Sequence, residues 1–171
     1  MLRKIISGGQ TGIDKMGVTI AFTNGFETGG TAPKDFMTEN GTDYTLKAYG
    51  LKEISEEDQK HFEEITGKTD RFTARTYVNT RDSDGTVYLS TDKNSPGAKT
   101  TRNGCEYHSK PFIMNPNFDS LCQFIDDYEI ETLNVAGNRA SKLSAADSKR
   151  FYNLLDAVLK YYKELKEKEE K

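Results

Sequence analysis

Lys4-Ile5-Ile6-Ser7-Gly8-Gly9-Gln10-Thr11-Gly12-Ile13-Asp14 is the stretch that decides the fold of this chain. Its two isoleucines are β-branched and end a short apolar run, which is typical of a buried strand. Beyond the glycines, apolar and small residues recur at helical spacing, at Ile13, Met16, Gly17, Ile20 and Ala21. The sequence therefore predicts a strand, a glycine-rich loop and a helix in direct succession.

The glycine-rich loop has the composition of an anion-binding site. Backbone N–H groups at the start of a helix have no partner within that helix, and glycines let a ligand approach them closely. We therefore expect phosphate contacts from Gly8, Gly9, Gln10, Thr11 and Gly12. A tight turn that needs glycine only for its backbone angles explains the same pattern. Asp14 either interacts with the helix dipole or contacts the ligand.

Two common nucleotide sites are not favoured by this loop. No Gly-Lys-Ser/Thr closes it, as a Walker loop requires, and the spacing differs from the dinucleotide motif GxGxxG. ATP hydrolysis and ordinary NAD binding are therefore not expected.

The composition predicts one domain over residues 1–171, in the cytoplasm. A net charge of −3, with basic residues dispersed among acids, argues against a nucleic-acid partner. The apolar run near the N-terminus is too short for a signal peptide, so neither secretion nor a membrane is expected. The apolar side of the last predicted helix, over residues 145–166, leaves a homo-oligomer open; the Lys/Glu tail after it is expected to be solvated.

Four further strands and five further helices follow from hydrophobic spacing and turn residues. Strands are predicted near residues 26–31, 86–90, 110–115 and 132–136, and helices near 55–66, 70–82, 95–109, 118–128 and 145–166. Alternation of this kind is typical of a parallel sheet covered on both faces. The predicted fold class is therefore α/β, a Rossmann-like doubly wound sheet of about five mainly parallel strands.

Most of these strands end in glycine or small polar residues. The carboxyl ends of parallel strands share one edge of the sheet, where ligands bind in such folds. The loops at Gly8, Gly29, Gly97 and Gly137 should therefore meet at one pocket. Further ligand contacts are expected from Gly29, Gly30, Lys34, Tyr44, Gly97, Lys99, Thr100, Thr101, Gly137, Asn138 and Arg139.

The predicted helix 70–82 presents Phe72, Arg75, Thr76 and Asn79 on one side, which is expected to face the site, with Asn79 in contact with the ligand. Arg75 and Arg139 are candidates for an oxyanion, because guanidinium binds oxyanions through two parallel hydrogen bonds. Surface ion pairs are the alternative for both.

The turn at Asp82, Ser83 and Asp84 superficially resembles the start of a calcium loop. Its glycine comes too early, and Lys93 stands where a bidentate Glu should be. Its acids either pair with arginines or bind hydroxyls or amines of a ligand.

No metal site and no catalytic residue are predicted. Cys105 and Cys122 belong to no CxxC motif and are expected to be reduced, structural thiols. His108 follows Cys105 by three residues, but no third ligand is near it in the sequence.

Five motifs together resemble the family of proteins named putative molybdenum carriers, in the SLOG superfamily of Rossmann-like domains. The match runs from about Leu2 to the last helix. The motifs are Ile-Ser-Gly-Gly-Gln-Thr-Gly-Ile-Asp at 6–14, Gly-Gly-Thr-Ala-Pro-Lys at 29–34, Arg75-Thr76 with Asn79, Asp-Ser-Asp-Gly-Thr at 82–86 and Leu-Asn-Val-Ala-Gly-Asn-Arg-Ala-Ser at 133–141. The resemblance implies the fold and a phosphate-bearing ligand. Family members are linked with binding the molybdenum cofactor, a phosphorylated pterin, without converting it.

The chain departs from its relatives at two places. Asn138 stands where the family usually has proline. Pro96-Gly97-Ala98-Lys99-Thr100-Thr101 is similar to the Pro-Gly-Gly-x-Gly-Thr-x-x-Glu motif of "lonely guy" phosphoribohydrolases, which belong to the same superfamily, but Gly104 stands where that motif has glutamate. This difference argues against hydrolysis of an N-glycosidic bond.

The sequence therefore predicts non-catalytic binding of a phosphate-bearing, nucleotide-like small molecule, with no cofactor required. One form is a carrier of molybdenum cofactor. Another is sequestration of a cyclic or signalling nucleotide, as in a viral protein that counters host defence. The alternatives are a nucleotide hydrolase or phosphoribohydrolase acting through Glu106 or Asp14, and a homologue that has lost its ligand.

Overall fold

A six-stranded parallel sheet lies at the centre of the protein in the computed structural model, which describes residues 1–171. The strands are β1 (Lys4–Ile6), β2 (Glu27–Ala32), β3 (Met37–Thr38), β4 (Gly41–Thr42), β5 (Leu51–Glu53), β6 (Gly85–Leu89), β7 (Phe112–Met114) and β8 (Thr132–Gly137). The helices are α1 (Ile13–Thr23), α2 (Glu56–Thr66), α3 (Arg71–Asp82), α4 (Pro96–Tyr107), α5 (Phe118–Asp127) and α6 (Ala145–Glu169). Short 3-10 helices cover Lys34–Phe36, Tyr44–Tyr49 and Ala140–Lys142.

The strand order β5-β2-β1-β8-β6-β7 makes the last strand in sequence a central one. β8 lies between β1 and β6, with Leu133 opposite Ile5 on one side and Gly85 on the other. The predicted α/β, Rossmann-like fold class is confirmed. The direction of the crossovers changes at β1 and β8, so a crevice opens beyond their carboxyl ends.

Two small elements were not predicted, the edge strand β5 and the β3–β4 hairpin. Both lie in the segment 31–53, which was expected to be a loop up to Tyr49. β5 has three residues, of which only Leu51 is buried, and β3 and β4 have two each. Strands this short show no hydrophobic alternation that a sequence pattern could reveal.

The two faces of the sheet differ in polarity. The main apolar core lies chiefly on the face covered by α1, α5 and α6, and it includes Ile5, Val18, Leu133 and Leu155. The face covered by α3 and α4 has a second apolar cluster of only three residues, Tyr88, Ala98 and Ala136. The other buried groups on this side are largely polar: Thr76, Asn79, Thr80, Thr86, Thr101 and Asn134. Polar side chains therefore lie behind the carboxyl-end crevice.

Five of the six helices begin at a capping side chain. Ser55, Asp70, Ser95, Asn117 and Ser144 each accept a hydrogen bond from an N–H group of the first turn. α1 is the exception, because its N-cap is Gly12. None of the helices is both long enough and apolar enough to cross a membrane.

Candidate functional site

A pocket with a volume of about 920 Å³ lies at the carboxyl ends of β6 and β8. This volume is near the upper end of the range for small-molecule sites, roughly 300–1,000 Å³. Its walls are the β1–α1 loop, the β3–β4 hairpin, the first turns of α3 and α4 and the segment after β8. The loops that follow β1, β6 and β8 therefore converge, as the sequence predicted.

Nine of the predicted contact residues line this pocket. They are Gln10, Asp14, Arg75, Gly97, Thr100, Thr101, Gly137, Asn138 and Arg139. They come from every wall except the hairpin. Their contact with a ligand stays a prediction.

The glycine loop itself differs from the open anion site that the sequence predicted. The N–H groups of Gly9, Gln10 and Thr11 donate to Ser7 Oγ (3.2 Å), Asp14 Oδ2 (3.2 Å) and Gln10 Oε1 (3.0 Å). The first amide of α1, that of Ile13, donates to the carbonyl of Asn138 at 3.0 Å. The protein's own acceptors therefore occupy the donors expected to hold phosphate, and Gly8, Gly9, Thr11 and Gly12 do not line the pocket.

Close backbone packing explains these glycines. A β-carbon at Gly12 would overlap the carbonyl oxygen of Asn138, and φ is +81° there. A β-carbon at Gly30 would overlap the carbonyl oxygen of Ser7. The turn interpretation that the sequence left open for the glycine loop accounts for Gly12, and Gly30 lies inside β2, where the backbone of β1 approaches closely.

A buried ion pair lies at the base of the pocket. Arg75 Nη1 is 3.5 Å from Asp14 Oδ2, and the two side chains are 12% and 3% exposed. Burial raises the pKa of Asp14 above its usual value, although Arg75 and the amides of Gln10, Gly137 and Gly8 act in the opposite direction. The Asp14 carboxylate therefore interacts with neighbouring protein groups and is almost fully shielded from solvent.

Arg75 keeps unused hydrogen-bonding capacity. Nη1 also donates to Thr76 Oγ1 at 3.1 Å, but the buried Nε has no partner in the protein. A buried N–H group without an acceptor is costly, so an acceptor supplied by a ligand would be favourable. Arg75 also lies across Gly8, because a β-carbon there would overlap its guanidinium.

The first turn of α4 supplies a second group of donors. Ser95 Oγ accepts from Ala98 N at 3.2 Å, Pro96 has no N–H, and the amide of Gly97 makes no hydrogen bond within the protein. Tyr88, which is 4% exposed, lies beside this turn: a β-carbon at Gly97 would be 2.6 Å from its Oη. Burial raises the pKa of the Tyr88 hydroxyl, against a smaller opposite effect of Ser95.

The pocket wall opposite α3 and α4 contains Glu39, which the sequence did not single out. This residue forms the turn between β3 and β4, and its carboxylate accepts from Thr11 Oγ1 (2.5 Å), Ser141 Oγ (2.5 Å) and Ser141 N (3.0 Å). Burial alone would raise the pKa of Glu39, but the hydrogen bonds from Ser141 and Thr11 and the charge of Arg139 lower it below its usual value. The pair Asn40-Gly41, where the turn meets β4, was the only signal that could have revealed this hairpin.

Other residues of the pocket were also missed as contacts. They are Met37, Thr38, Asp70, Phe72, Thr73, Thr76, Tyr88, Thr91, Asp92, Ser95, Pro96, Ala136 and Lys142. The predicted helical side of Phe72, Arg75 and Thr76 does face the pocket. Its fourth member, Asn79, instead bonds the backbone of Thr31, with its Oδ1 accepting and its Nδ2 donating at 2.9 Å.

Several predicted contact residues lie outside the pocket. Lys34, Tyr44 and Lys99 are exposed on other surfaces, and Gly29 and Gly30 pack within the sheet. The turn Asp82, Ser83 and Asp84 precedes β6 and so lies at the amino edge of the sheet, away from the pocket, which corrects its predicted ligand contact. The other alternative, pairing of its acids with Arg75 or Arg81, is the one observed. Asp82 pairs with Arg81 at 2.7 Å, and Asp84 accepts from the amides of Glu131 and Thr132.

No group of three or more His, Cys, Asp or Glu side chains is arranged to hold a metal ion. Cys105 and Cys122 are buried and not bridged, as predicted. Glu106, the alternative catalytic residue, is exposed on α4 and does not line the pocket, whereas Asp14 does.

A parallel sheet with a ligand-sized pocket where the crossovers change direction defines a Rossmann-like α/β domain. The family model described as "Circularly permutated YpsA SLOG family" matches residues 5–159, and the chain belongs to that family. It is similar to the crystal structure of a protein from Syntrophus aciditrophicus SB named "putative molybdenum carrier protein", with 28% identity and a TM-score of 0.71. That similarity covers 92% of this chain and 94% of the other. None of the curated proteins matches significantly.

Proposed function

We propose that this protein binds a phosphate-bearing, nucleotide-like small molecule and holds it without chemical conversion. The observation that supports this function best is Arg75, a guanidinium on the pocket wall whose buried Nε lacks an acceptor. A phosphate oxygen is a favourable acceptor for such a group, because charge-assisted hydrogen bonds to guanidinium are strong and directional.

The phosphate would lie between Arg75 and the first turn of α4. The free amide of Gly97 and the positive end of the α4 dipole favour an anion there. Thr100 and Thr101 belong to the same wall and bear hydroxyl groups. The proposed phosphate site therefore belongs to α4 and α3, instead of to the glycine loop that the sequence favoured.

The remaining volume suits a planar ring. Phe72 and Tyr88 are aromatic groups of the pocket, and its other walls are mostly polar. Aromatic side chains bind flat heterocycles by stacking, whether the ring is a pterin or a purine. Molybdenum cofactor, a phosphorylated pterin, and a cyclic or signalling nucleotide are both ligands of this class. A protein that binds such a ligand without converting it can either carry the ligand or sequester it.

Retention without conversion is supported by how Asp14 is engaged. Its carboxylate accepts the Gln10 amide and is paired with Arg75, so its protein partners already use it. The second candidate, a phosphoribohydrolase, is favoured by one observation: Asp14 is a pocket carboxyl with a raised pKa, which is a property of many general acids. Release of a free base from a nucleoside monophosphate during incubation would favour the hydrolase.

The binding site is tested by Arg75→Lys, because lysine keeps the charge opposite Asp14 but lacks the planar fork of donors. A thermal-shift screen with nucleoside monophosphates, cyclic nucleotides and a phosphorylated pterin should find a ligand that raises Tm of the wild type. We expect Arg75→Lys to weaken that ligand by about tenfold or more, the value of one charge-assisted hydrogen bond.

Arg81→Lys is the matched control. Arg81 belongs to the same helix but pairs with Asp58 and Asp82 outside the pocket. Equal affinity in both variants, or no shift with any phosphorylated compound, would contradict the proposal.

A further inference from the structure

The Glu39 carboxylate lies in a ring of hydrogen-bond donors at the pocket wall. Its partners are the Thr11 hydroxyl and both the hydroxyl and the amide of Ser141, and the Arg139 guanidinium is 3.9 Å away. Thr11 comes from the β1–α1 loop, and the others follow β8. Two separate segments therefore meet at a carboxylate that a third segment, the β3–β4 hairpin, supplies. The low pKa of Glu39 agrees with a full negative charge in this position.

These donors are the kind that bind a phosphate group. Hydroxyls, a backbone amide and a guanidinium are the usual ligands of phosphate oxygens. Their relative positions are fixed independently of Glu39, because Ile13 N bonds the carbonyl of Asn138 at 3.0 Å and Ala140 N bonds Thr11 Oγ1 at 3.0 Å. Removing the carboxylate would therefore leave the donor ring assembled.

The hairpin that supplies Glu39 has little stability of its own. β3 and β4 pair over two residues each, and a two-stranded ribbon of this size depends on contacts with the rest of the protein. At the turn, these contacts are the hydrogen bonds to the Glu39 carboxylate and the one that Glu39 N donates to Gln10 Oε1 at 2.9 Å. At the base, Asp43 pairs with Lys15 at 2.6 Å. Exchange of the carboxylate for a ligand phosphate would therefore remove most of the hydrogen bonds that hold the turn.

We propose that Thr11, Arg139 and Ser141 form a second phosphate subsite at the edge of this pocket, which Glu39 occupies in the free protein and vacates when a ligand phosphate binds. Glu39 lies between the pocket and the side chains of Thr11 and Ser141, which do not line it. Glu39 then acts as a built-in competitor, and the hairpin turn 38–41 moves away when the ligand enters. This inference rests on the proposed function for its ligand class, but it concerns a different set of donors from the Arg75 wall.

The decisive variant is Glu39→Gln, which keeps the shape of the side chain and removes its charge. Inorganic phosphate is the probe, titrated by calorimetry into the intact chain. We expect Glu39→Gln to bind phosphate about tenfold tighter than the wild type, because a charge-assisted contact to the competitor is lost. Adding Ser141→Ala to this variant should remove part of the gain, since it deletes the Ser141 hydroxyl and leaves the Ser141 amide in place.

Asp92→Asn is the matched control. It removes one negative charge from the same pocket, and asparagine can still accept the Asn94 amide that Asp92 accepts at 2.9 Å. A gain in Asp92→Asn equal to that in Glu39→Gln would mean that only the net charge matters, and it would overturn the inference. No gain in a Glu39→Gln variant whose circular dichroism matches the wild type would overturn it as well.

Hydrogen exchange gives a second readout that needs no variant. Saturating phosphate should speed exchange of the amides of residues 38–41 in the wild type, whereas slower or unchanged exchange would overturn the proposed opening. The Arg75→Lys comparison with nucleotide ligands is independent of these results, so a failure here leaves the proposed function standing.

Discussion

At the scale of single residues, the pair of Asp14 and Arg75 joins the fold to the pocket. Asp14 belongs to the first turn of α1, and Arg75 reaches it from α3 on the other face of the sheet. Pairing limits the cost of burying either charge, and removing one partner would leave the other uncompensated. The sequence identified both residues as site candidates because of their types and positions. It could not show that they contact each other, since 60 residues of intervening chain separate them.

The raised pKa of Asp14 makes a prediction about pH. The folded state binds the Asp14 proton more tightly than the unfolded chain does, for which 3.8 is the ordinary value. From that pH up to the raised folded pKa, the folded state holds more protons, so the free energy of unfolding falls as pH rises. Asp14→Asn cannot titrate, and its Oδ1 can still accept the Gln10 amide.

Urea unfolding of wild type and Asp14→Asn, at about pH 3 and about pH 7, checks this prediction. The stability of Asp14→Asn relative to the wild type should be higher near pH 7 than near pH 3. A difference that does not change with pH would mean that Asp14 titrates as an ordinary surface carboxyl.

The glycine loop shows the limit of prediction at this scale. Its residues were predicted to bind an anion because unpaired amides were expected at the start of α1. One acceptor is the carbonyl of Asn138, about 125 residues further along the chain. The others are nearby side chains, whose positions depend on how the loop itself folds. Glu39 was missed for the same reason, because its partners come from two distant segments of the chain.

At the scale of elements, α3 is attached to the sheet by a polar clamp. Asn79 bonds both the N–H and the carbonyl of Thr31 in β2, as a neighbouring strand would. The sequence placed Asn79 on the correct side of its helix but predicted that it contacts a ligand. Helix starts were predicted well, because caps such as Ser55 and Asp70 are local signals, whereas β5 has no local pattern.

We expect Asn79→Ala to destabilise the protein by about 2–3 kcal/mol, because the N–H and the carbonyl of Thr31 lose their partners together. Denaturant unfolding measures the change, with Asn103→Ala as the control: Asn103 is exposed on α4 and makes no side-chain hydrogen bond. Equal effects of the two substitutions would show that the clamp contributes nothing beyond an ordinary surface contact.

At the scale of the whole molecule, the parallel sheet gathers its loops at one edge. The sequence predicted this convergence from the residues that end each strand, and the pocket lies where those loops meet. The turn at Asp82–Asp84 was also predicted to contact the ligand. It lies at the opposite edge of the sheet, because it precedes its strand instead of following it. A turn can therefore contribute to the site only if it follows its strand and so lies at the carboxyl edge of the sheet. The residue types of the Asp82–Asp84 turn did not by themselves show at which edge it lies.

The polarity of the sheet faces agrees with a binding role. The apolar core on the α1 and α6 side supplies most of the buried hydrophobic surface, while the α3 and α4 side keeps buried threonines and asparagines near the pocket. Polar groups behind a pocket can orient its donors at a cost in stability that the other face offsets. This division of roles is a property of the whole fold that no single motif contains.

Native mass spectrometry of the freshly purified protein shows directly whether a ligand is held without conversion. We expect one phosphate-bearing small molecule to co-purify with the chain or to bind from a panel of phosphorylated pterins and nucleotides. After incubation and denaturation, that molecule should be released with its mass unchanged. A protein that stays ligand-free with every member of the panel, or that releases a free base in place of the added nucleotide, would contradict the proposed function.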